Sequence, residues 1–240
     1  MSDARTTLVS APLVPALILA AGLLGGGWLL GDGLTRAKHA DRAVTVRGLA
    51  ERDVTADLAT WTIASAAVGS DLPVLQAKAD SDGDRVIAFL QARGFGTDEI
   101  EAGGISVNQY VDSNGRPNIT IRRKIQLRTT KVMAARAAYA RQAELMRQGV
   151  VFDSDNGGMV YSFTRLNSVK PPMIAAATKN AREGAEQFAK DSGARVGDIK
   201  SASQGYFSII PRDGDASGAS AGASPFQKVR VVTTIDFYLD

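Results

Sequence analysis

The stretch Ile119-Thr-Ile-Arg-Arg-Lys-Ile-Gln-Leu-Arg-Thr129 alternates between apolar and polar side chains. Successive side chains of a β-strand point to opposite faces, so this alternation predicts a strand with one buried face and one wet face. The residues on the predicted buried face are Ile119, Ile121, Ile125 and Leu127. The stretch therefore predicts a sheet that packs one of its faces on a core.

Further stretches have strand character, and amphipathic stretches between them have the period of a helix. The other predicted strands are Val44–Thr55, Leu58–Val68, Ile100–Val111, Met159–Leu166, Val196–Ile210 and Lys228–Leu239. The predicted helices are Leu72–Leu90, Thr130–Gly149 and Lys170–Ser192. The order strand, helix, strand, strand occurs twice along the chain. It predicts an α+β domain of duplicated β-α-β-β units, with a mostly antiparallel sheet and helices packed on one face.

The N-terminal part contains a run of 26 residues without charge, from Thr6 to Gly31, and this run is rich in leucine. A helix needs roughly 20 apolar residues to cross a bilayer. The run therefore predicts a single membrane-crossing helix before a water-soluble domain. The predicted division is a short tail over 1–12, an anchor over 13–32, a juxtamembrane linker over 33–42 and a domain over 43–240, with a mobile loop over 213–226.

A cleaved secretory signal is the alternative for the same run. Such a signal has an apolar stretch of about 7–15 residues and a small-residue cleavage site. The run exceeds that length, and the cleavage candidates near Gly25–Gly27 and Ala37 are poor. An uncleaved anchor is therefore favoured, and cleavage stays open.

The orientation of the predicted helix cannot be decided from charge alone. The basic residues Arg36, Lys38, Arg42 and Arg47 follow the run, and only Arg5 precedes it. An excess of Lys and Arg marks the cytoplasmic side, which places the domain inside the cell. Long domains, however, are translocated largely regardless of charge. Both orientations therefore remain at this point.

Composition excludes several classes of function. The chain has 28 Lys and Arg against 25 Asp and Glu, which is too small an excess to predict a nucleic-acid partner. It has no cysteine, which excludes disulfides, thiolate metal sites and cysteine nucleophiles. The one histidine, His39, follows the predicted anchor and lies outside the domain, so common zinc sites and Ser-His-Asp triads cannot be built. We therefore predict no catalytic, cofactor-binding or metal-binding residue.

Asp80, Asp82 and Asp84 have the alternating acids of a calcium loop. An EF-hand loop, however, needs glycine at its sixth position and glutamate at its twelfth. Counted from Asp80, these positions hold Arg85 and Gln91. Because the acids lie within a predicted helix, we interpret them as a solvated helix face.

One group of side chains predicts an interaction face. If the strands Ile119–Thr129 and Lys228–Leu239 are neighbours, the open face of the sheet is basic at one end. The residues of this predicted face are Arg122, Lys124, Arg128, Lys228 and Arg230. An ordinary wet sheet face is the alternative. Val44–Thr55 and Lys228–Leu239 are the predicted edge strands, which are available for pairing with another chain.

Four stretches of the domain resemble the SIMPL-domain family. They are Val44-Thr-Val-Arg-Gly-Leu-Ala-Glu-Arg-Asp-Val-Thr-Ala-Asp57, Leu166-Asn-Ser-Val-Lys-Pro-Pro-Met-Ile174, Gln204-Gly-Tyr-Phe-Ser-Ile-Ile-Pro-Arg212 and Val229-Arg-Val-Val-Thr-Thr-Ile235. The resemblance spans about residues 43–240. It implies a bacterial protein anchored in the inner membrane by one helix, with its domain in the periplasm and a loose link to envelope or oxidative stress. It brings no established catalytic residues.

These observations together predict a non-enzymatic, envelope-tethered interaction or assembly protein without a cofactor. Its expected partner is a further copy of the chain or another envelope protein. The alternative is a periplasmic domain that binds a small ligand or lipid. Such a pocket would be lined by Trp61, Phe89, Phe95 and Phe188, which otherwise fill the core.

Overall fold

A computed structural model describes residues 13–40, 42–111, 115–153, 157–213 and 221–240 of the chain, and the side chains of its first helix over 18–31. The predicted tail over 1–12 and residues 214–220 of the predicted loop lie outside the described residues.

The described elements alternate as the sequence predicts for an α+β protein. The helices are α1 Leu13–Ala40, α2 Leu72–Gln91, α3 Val132–Ala140, α4 Ala143–Arg147 and α5 Leu166–Ser192. The strands are β1 Ala43–Thr55, β2 Leu58–Gly69, β3 Ile100–Val111, β4 Pro117–Thr129, β5 Gly158–Ser162, β6 Val196–Gln204, β7 Ser208–Pro211 and β8 Phe226–Leu239. Short 3-10 turns occur at Thr97–Glu99 and Ala221–Ala223.

The described strands form two sheets rather than one. One sheet has the order β3-β4-β2-β5, and its pairings are antiparallel. The other has the order β1-β8-β6, with β7 also paired to β8. The prediction that β8 is an edge strand is therefore wrong. Its alternate residues Val229, Val231, Ile235 and Phe237 are buried, as befits a central strand.

The chain divides into two compact units, each with its own core. The larger unit comprises Leu49–Ala177 and Gln204–Val232, and the smaller one the described residues of Met1–Gly48, Thr178–Ser203 and Thr233–Asp240. In the smaller unit, Ala181 and Ala185 of α5 pack on Ile235 and Phe237.

The main core of the larger unit lies where helices cover one face of the sheet β3-β4-β2-β5. Trp61 and Ile63 of β2 pair across with Leu127 and Ile125 of β4, and all four side chains are buried. The helices α2, α3 and α4 contribute Phe89, Leu90, Ala135 and Leu145 to the same cluster. The alternation that predicted the strands therefore defines the covered face.

The start and end of α2 follow from local signals. Asp71 accepts a hydrogen bond from the Val74 backbone N–H at 3.3 Å, and Pro73 lies in the first turn. Gly94 has a φ of +84°, a conformation that favours glycine after a helix. The acceptor at the helix start and the glycine after its end explain why the sequence predicted this helix closely.

Two predicted helices differ from the structure. The predicted helix Thr130–Gly149 is broken at Arg141 and Gln142 into α3 and α4, and Lys131 rather than Thr130 precedes it. α5 begins at Leu166, four residues before the predicted start, with Pro171 and Pro172 inside it. Val169 and Met173 in its first turns are buried in a core cluster, and this burial offsets the backbone bonds that proline removes.

Residues 213 and 221–226 of the predicted mobile loop belong to the described part of the chain. They contain the turn Ala221–Ala223 and the start of β8. Two guanidinium groups lie close to the Phe226 ring. The Arg212 Cζ is 4.6 Å and the Arg136 Cζ 5.6 Å from the ring centroid. A cation over an aromatic face is attractive, so these contacts hold Phe226 in place.

Helix α1 is continuous to Ala40, so residues 33–40 of the predicted linker are helical. Its described large apolar side chains are exposed: Ile18, Leu19, Leu23, Leu24, Trp28, Leu29 and Leu30. Among the described residues, no helix combines the length and the apolar character needed to cross a membrane.

Candidate interaction surface on the edge strand β3

Three of the described edge strands carry features that discourage pairing with another chain. β1 contains Arg47, Glu51, Arg52 and Asp53, and β6 contains Asp198 and Lys200. Charged side chains and short length protect a sheet edge. β5 has only five residues. These three edges therefore need no partner.

The short edge β5 is also covered by the chain itself. The buried Gln227 side chain donates hydrogen bonds from Nε2 to the backbone oxygens of Tyr161, Ala221 and Ser224, at 3.0, 2.9 and 3.3 Å. Tyr161 belongs to β5, and the other two residues belong to the turn before β8. One amide group therefore closes this end of the sheet.

The opposite edge, β3, has none of these protections over most of its length. It has 12 residues, and all except Ile100 are exposed. Ile105, Val107 and Val111 are 53%, 55% and 65% exposed. Within the described part of the chain, β3 pairs only with β4. A long, exposed, apolar edge strand is a template for adding a further strand.

A bulge at Gly103 and Gly104 determines on which face of the sheet the side chains of Ile105 and Val107 lie. Ala102 pairs with Ile125 and Ile105 pairs with Arg123, so two glycines stand opposite Lys124. A Cβ on Gly103 would lie 2.9 Å from the Lys124 backbone oxygen, which leaves no room for a side chain. Because a bulge adds one residue, Ile105 and Val107 return to the helix-covered face instead of the opposite one.

The helix layer ends before it reaches these side chains. α2 packs on β2 and β4, where Leu75 and Ala79 meet Ile119 and Ile121. Val107 pairs with Ile121 yet remains half-exposed. The helix-covered face therefore continues as an uncovered apolar strip along β3, which we call the β3 strip: Ile105, Val107 and Val111.

Arg123 borders the β3 strip and was missed in the sequence analysis. By alternation it lies on the helix-covered face, opposite Ile105 of β3. Its Nη1 donates to Asp80 Oδ1 of α2 at 2.6 Å. Its guanidinium group runs beneath Gly83, where an added Cβ would be 2.7 Å from Nε. The sequence does contain a signal for this residue: Arg123 is a basic residue at a position of β4 where the alternation places apolar side chains.

The five predicted basic residues belong to two different sheets. Arg122, Lys124 and Arg128 share the face of β4 opposite its buried side chains, as predicted. Lys228 and Arg230 lie on β8, which belongs to the other sheet. The prediction assumed that β4 and β8 are neighbours, and they are not paired in the described sheets. That these residues bind a partner stays a prediction.

Acidic partners also accompany three of these residues. The Arg122 Nε lies 2.8 Å from Asp153 Oδ2 as an ion pair, although its N–H is not aligned for a hydrogen bond. Lys228 and Arg230 both approach Glu51, at 3.2 and 3.7 Å. Reversing their charges would therefore disturb the fold and would not test assembly cleanly.

The interpretation of Asp82 as part of a solvated face is wrong. The side chain is 1% exposed and accepts hydrogen bonds from Lys78 Nζ at 2.9 Å and Arg85 Nη1 at 3.0 Å. Lys78 Nζ also donates to the Gly149 oxygen at 3.2 Å, after α4. Through Lys78, Asp82 is therefore linked to the turn after α4. Among the described residues, no cluster of three or more His, Cys, Asp or Glu could hold a metal ion.

Two carboxylates lie at the end of the sheet where α3 begins. Glu99 lines an open cleft of about 570 Å³, and Asp57 lines a neighbouring cleft of about 750 Å³. Burial raises the pKa of Asp57, but hydrogen bonds from Thr164 and Arg165 outweigh it and lower that pKa overall. Arg165 Nε is 2.8 Å from Asp57 Oδ2.

Glu99 is held more firmly than Asp57. It accepts hydrogen bonds from Lys131 Nζ at 2.8 Å, from the Thr129 hydroxyl and from the Gly96 N–H at 2.9 Å. These bonds, with that from Lys131 the largest effect, lower the pKa of Glu99 to about 2. Both carboxylates thus bind neighbouring elements of their own chain and fix the ends of the sheet.

Replacing Glu99 with glutamine should reduce the loss of folding stability at low pH. The ordinary pKa is 4.5, so the stabilisation by the ionised Glu99 is complete above that pH and is lost as the pH falls through about 2. After solvent screening we expect wild type to lose about 1–2 kcal/mol more than Glu99→Gln between about pH 5 and pH 2. Urea unfolding at both pH values measures this difference. Equal losses would show that the Glu99 bonds do not stabilise the fold.

Three of the four aromatic residues predicted as possible pocket walls fill the core instead. Trp61, Phe89 and Phe95 are buried in the main cluster of the larger unit. Phe188 belongs to the smaller unit and is exposed. None of the four lines the two clefts at the start of α3.

Comparison with known families identifies the family of the chain. The model of the SIMPL family, described as proteins of unknown function (DUF541), matches residues 44–237. The chain therefore belongs to the SIMPL family, which confirms the predicted resemblance. A search of the curated proteins finds no match to the chain.

Proposed function

We propose that this chain is a non-enzymatic interaction and assembly protein that joins another chain through the edge strand β3. The observation that carries the proposal is the β3 strip, an apolar surface beside unpaired backbone at the edge of a sheet. In strand addition, backbone hydrogen bonds give affinity and alternate side chains give specificity. Both elements are present along Ile105–Val111.

We also propose that the domain is held at the inner membrane and faces the periplasm. The anchor stays a prediction from the sequence, supported by the charge-free run Thr6–Gly31 and by the exposed apolar side chains of α1. The periplasmic side and the link to envelope or oxidative stress come from the family resemblance. Tethering copies to one surface raises their effective concentration, so a weak edge contact would suffice for assembly.

Replacing Val107 with lysine should break this contact. Val107 is half-exposed, so its replacement removes little core packing, while a lysine on an edge strand opposes strand addition. We expect association of the full-length protein to weaken at least about tenfold, which is about 1.4 kcal/mol. Light scattering on the purified protein and cross-linking in living cells measure the assembled fraction.

Val160→Lys is the matched control. Val160 lies on β5 of the same sheet and is 47% exposed, against 55% for Val107. The control should assemble like wild type. If Val107→Lys folds and assembles like the control, β3 is not the interaction surface.

A further inference from the structure

The proposed function leaves the partner at β3 open. We propose that the partner is the β3 strand of a second copy of this chain, paired antiparallel about Asn108. This inference rests on the proposed function, since it names the chain that the edge strand binds.

The segment Ile105–Val111 can pair with itself without opposing like charges. Its sequence is Ile-Ser-Val-Asn-Gln-Tyr-Val, and the one charged residue of β3, Glu101, lies on the other side of the bulge. With Asn108 opposite Asn108 of the second copy, Ile105 faces Val111 and Val107 faces Gln109. Ser106 faces Tyr110. In this register every residue of the segment has a partner.

The same register joins apolar side chains from both copies. A twofold axis perpendicular to the sheet keeps the helix-covered faces of both copies on one side. The two β3 strips, each half-exposed or more in the single chain, then lie side by side. Seven paired residues extend over about 24 Å and make about seven backbone hydrogen bonds.

The other edges of this chain suit β3 less well. β1 and β6 carry charged side chains along their length, and β5 is closed by Gln227. Pairing β3 with β3 needs no second kind of surface, and the contact closes on itself as a dimer. Among the described edges, the charge-free segment therefore matches its own copy best.

A single cysteine tests this geometry, because the chain has no cysteine of its own. Directly opposed residues in an antiparallel pair have Cα atoms about 4.5–5.5 Å apart. This lies within the range of about 4.4–6.8 Å that a disulfide spans. Full-length Asn108→Cys should therefore form a disulfide dimer under mild oxidation. Lys179→Cys, at an exposed position of α5, is the control, and it should associate like wild type without forming a disulfide dimer.

Opposite charges at the same position give a second, independent test. Asn108→Lys and Asn108→Glu should each lose association at least tenfold, because each places like charges face to face on the axis. Mixing the two full-length variants should restore it, since lysine then faces glutamate. Rescue by mixing cannot arise from misfolding. A mixture that associates no better than its components would overturn the proposal.

The outcomes also separate this inference from the proposed function. A wild-type chain that neither self-associates nor is cross-linked to another protein overturns both. Wild type that assembles while the Asn108 variants behave like wild type overturns only the pairing about Asn108. A disulfide or cross-link from Asn108→Cys to a different protein supports the edge strand as a surface and overturns the second copy as its occupant.

Discussion

Trp61→Ala should lower the free energy of unfolding by about 3–5 kcal/mol, the cost of a large cavity in a packed core. Trp61 is fully buried at the centre of the larger unit. Its ring makes T-shaped contacts with the rings of Tyr139 and Phe89, with centroids 5.3 and 6.3 Å away. The loss would therefore reach β2, α2 and α3 together. Urea unfolding followed by circular dichroism measures it.

Trp61→Phe separates lost volume from lost hydrogen bonding. Among the described residues, the Trp61 Nε1 has no hydrogen-bond partner. The phenylalanine variant therefore loses only part of the ring contact, and we expect about 1–2 kcal/mol. A cost for Trp61→Phe as large as that for alanine would show that the indole N–H stabilises the fold.

Gln227→Leu should cost about 2–4 kcal/mol, because it removes the donor from one buried and two partly buried carbonyl groups. The side-chain amide of Gln227 donates hydrogen bonds to the backbone oxygens of Tyr161, Ala221 and Ser224, and the Gln227 residue is 1% exposed. Without it, the edge of β5 and the turn Ala221–Ala223 lose their link. Chemical unfolding gives the cost, and faster amide exchange in β5 locates it.

Thr233→Val is the control for this substitution on the same strand. Thr233 is also buried on β8, but its hydroxyl has no partner among the described residues. Replacing it with an apolar group of similar shape should change stability by less than about 1 kcal/mol. If Gln227→Leu is equally mild, the amide does not close the edge.

The elements of this fold that depend on local patterns could be predicted from the sequence. The alternation of Ile121, Ile125 and Leu127 located β4 and its buried face, and Asp71 with Pro73 located the start of α2. In each case the deciding interaction lies within one strand or one helical turn. Such interactions are visible in a short window of residues.

The features that depend on distant partners could not be predicted in the same way. Asp82 lies between the basic residues Lys78 and Arg85, as on many exposed helices, and its burial and the bond from Lys78 to the turn after α4 appear only in the folded chain. The central place of β8 depends on pairing with strands on both sides. The sequence of one strand does not show how many other strands pair with it.

The candidate site on β3 could likewise be predicted only in part. The sequence identified Ile100–Val111 as a strand, but alternating Ile105 and Val107 are equally typical of a strand with a covered face. Their exposure results from where α2 ends across the sheet. The predicted basic face assumed that β4 and β8 are neighbours, and the two strands belong to different sheets, which the pattern of a single strand does not show.

Amide hydrogen exchange along β3 shows directly whether this edge strand pairs with another chain. In full-length wild type, exchange of the outward backbone amides of Ile105–Val111 should slow as the protein assembles, because strand addition pairs them. Exchange in Val107→Lys should stay fast at the same concentration, and exchange along β6 should not change with assembly. Equal exchange along β3 in assembled and unassembled wild type would contradict the account.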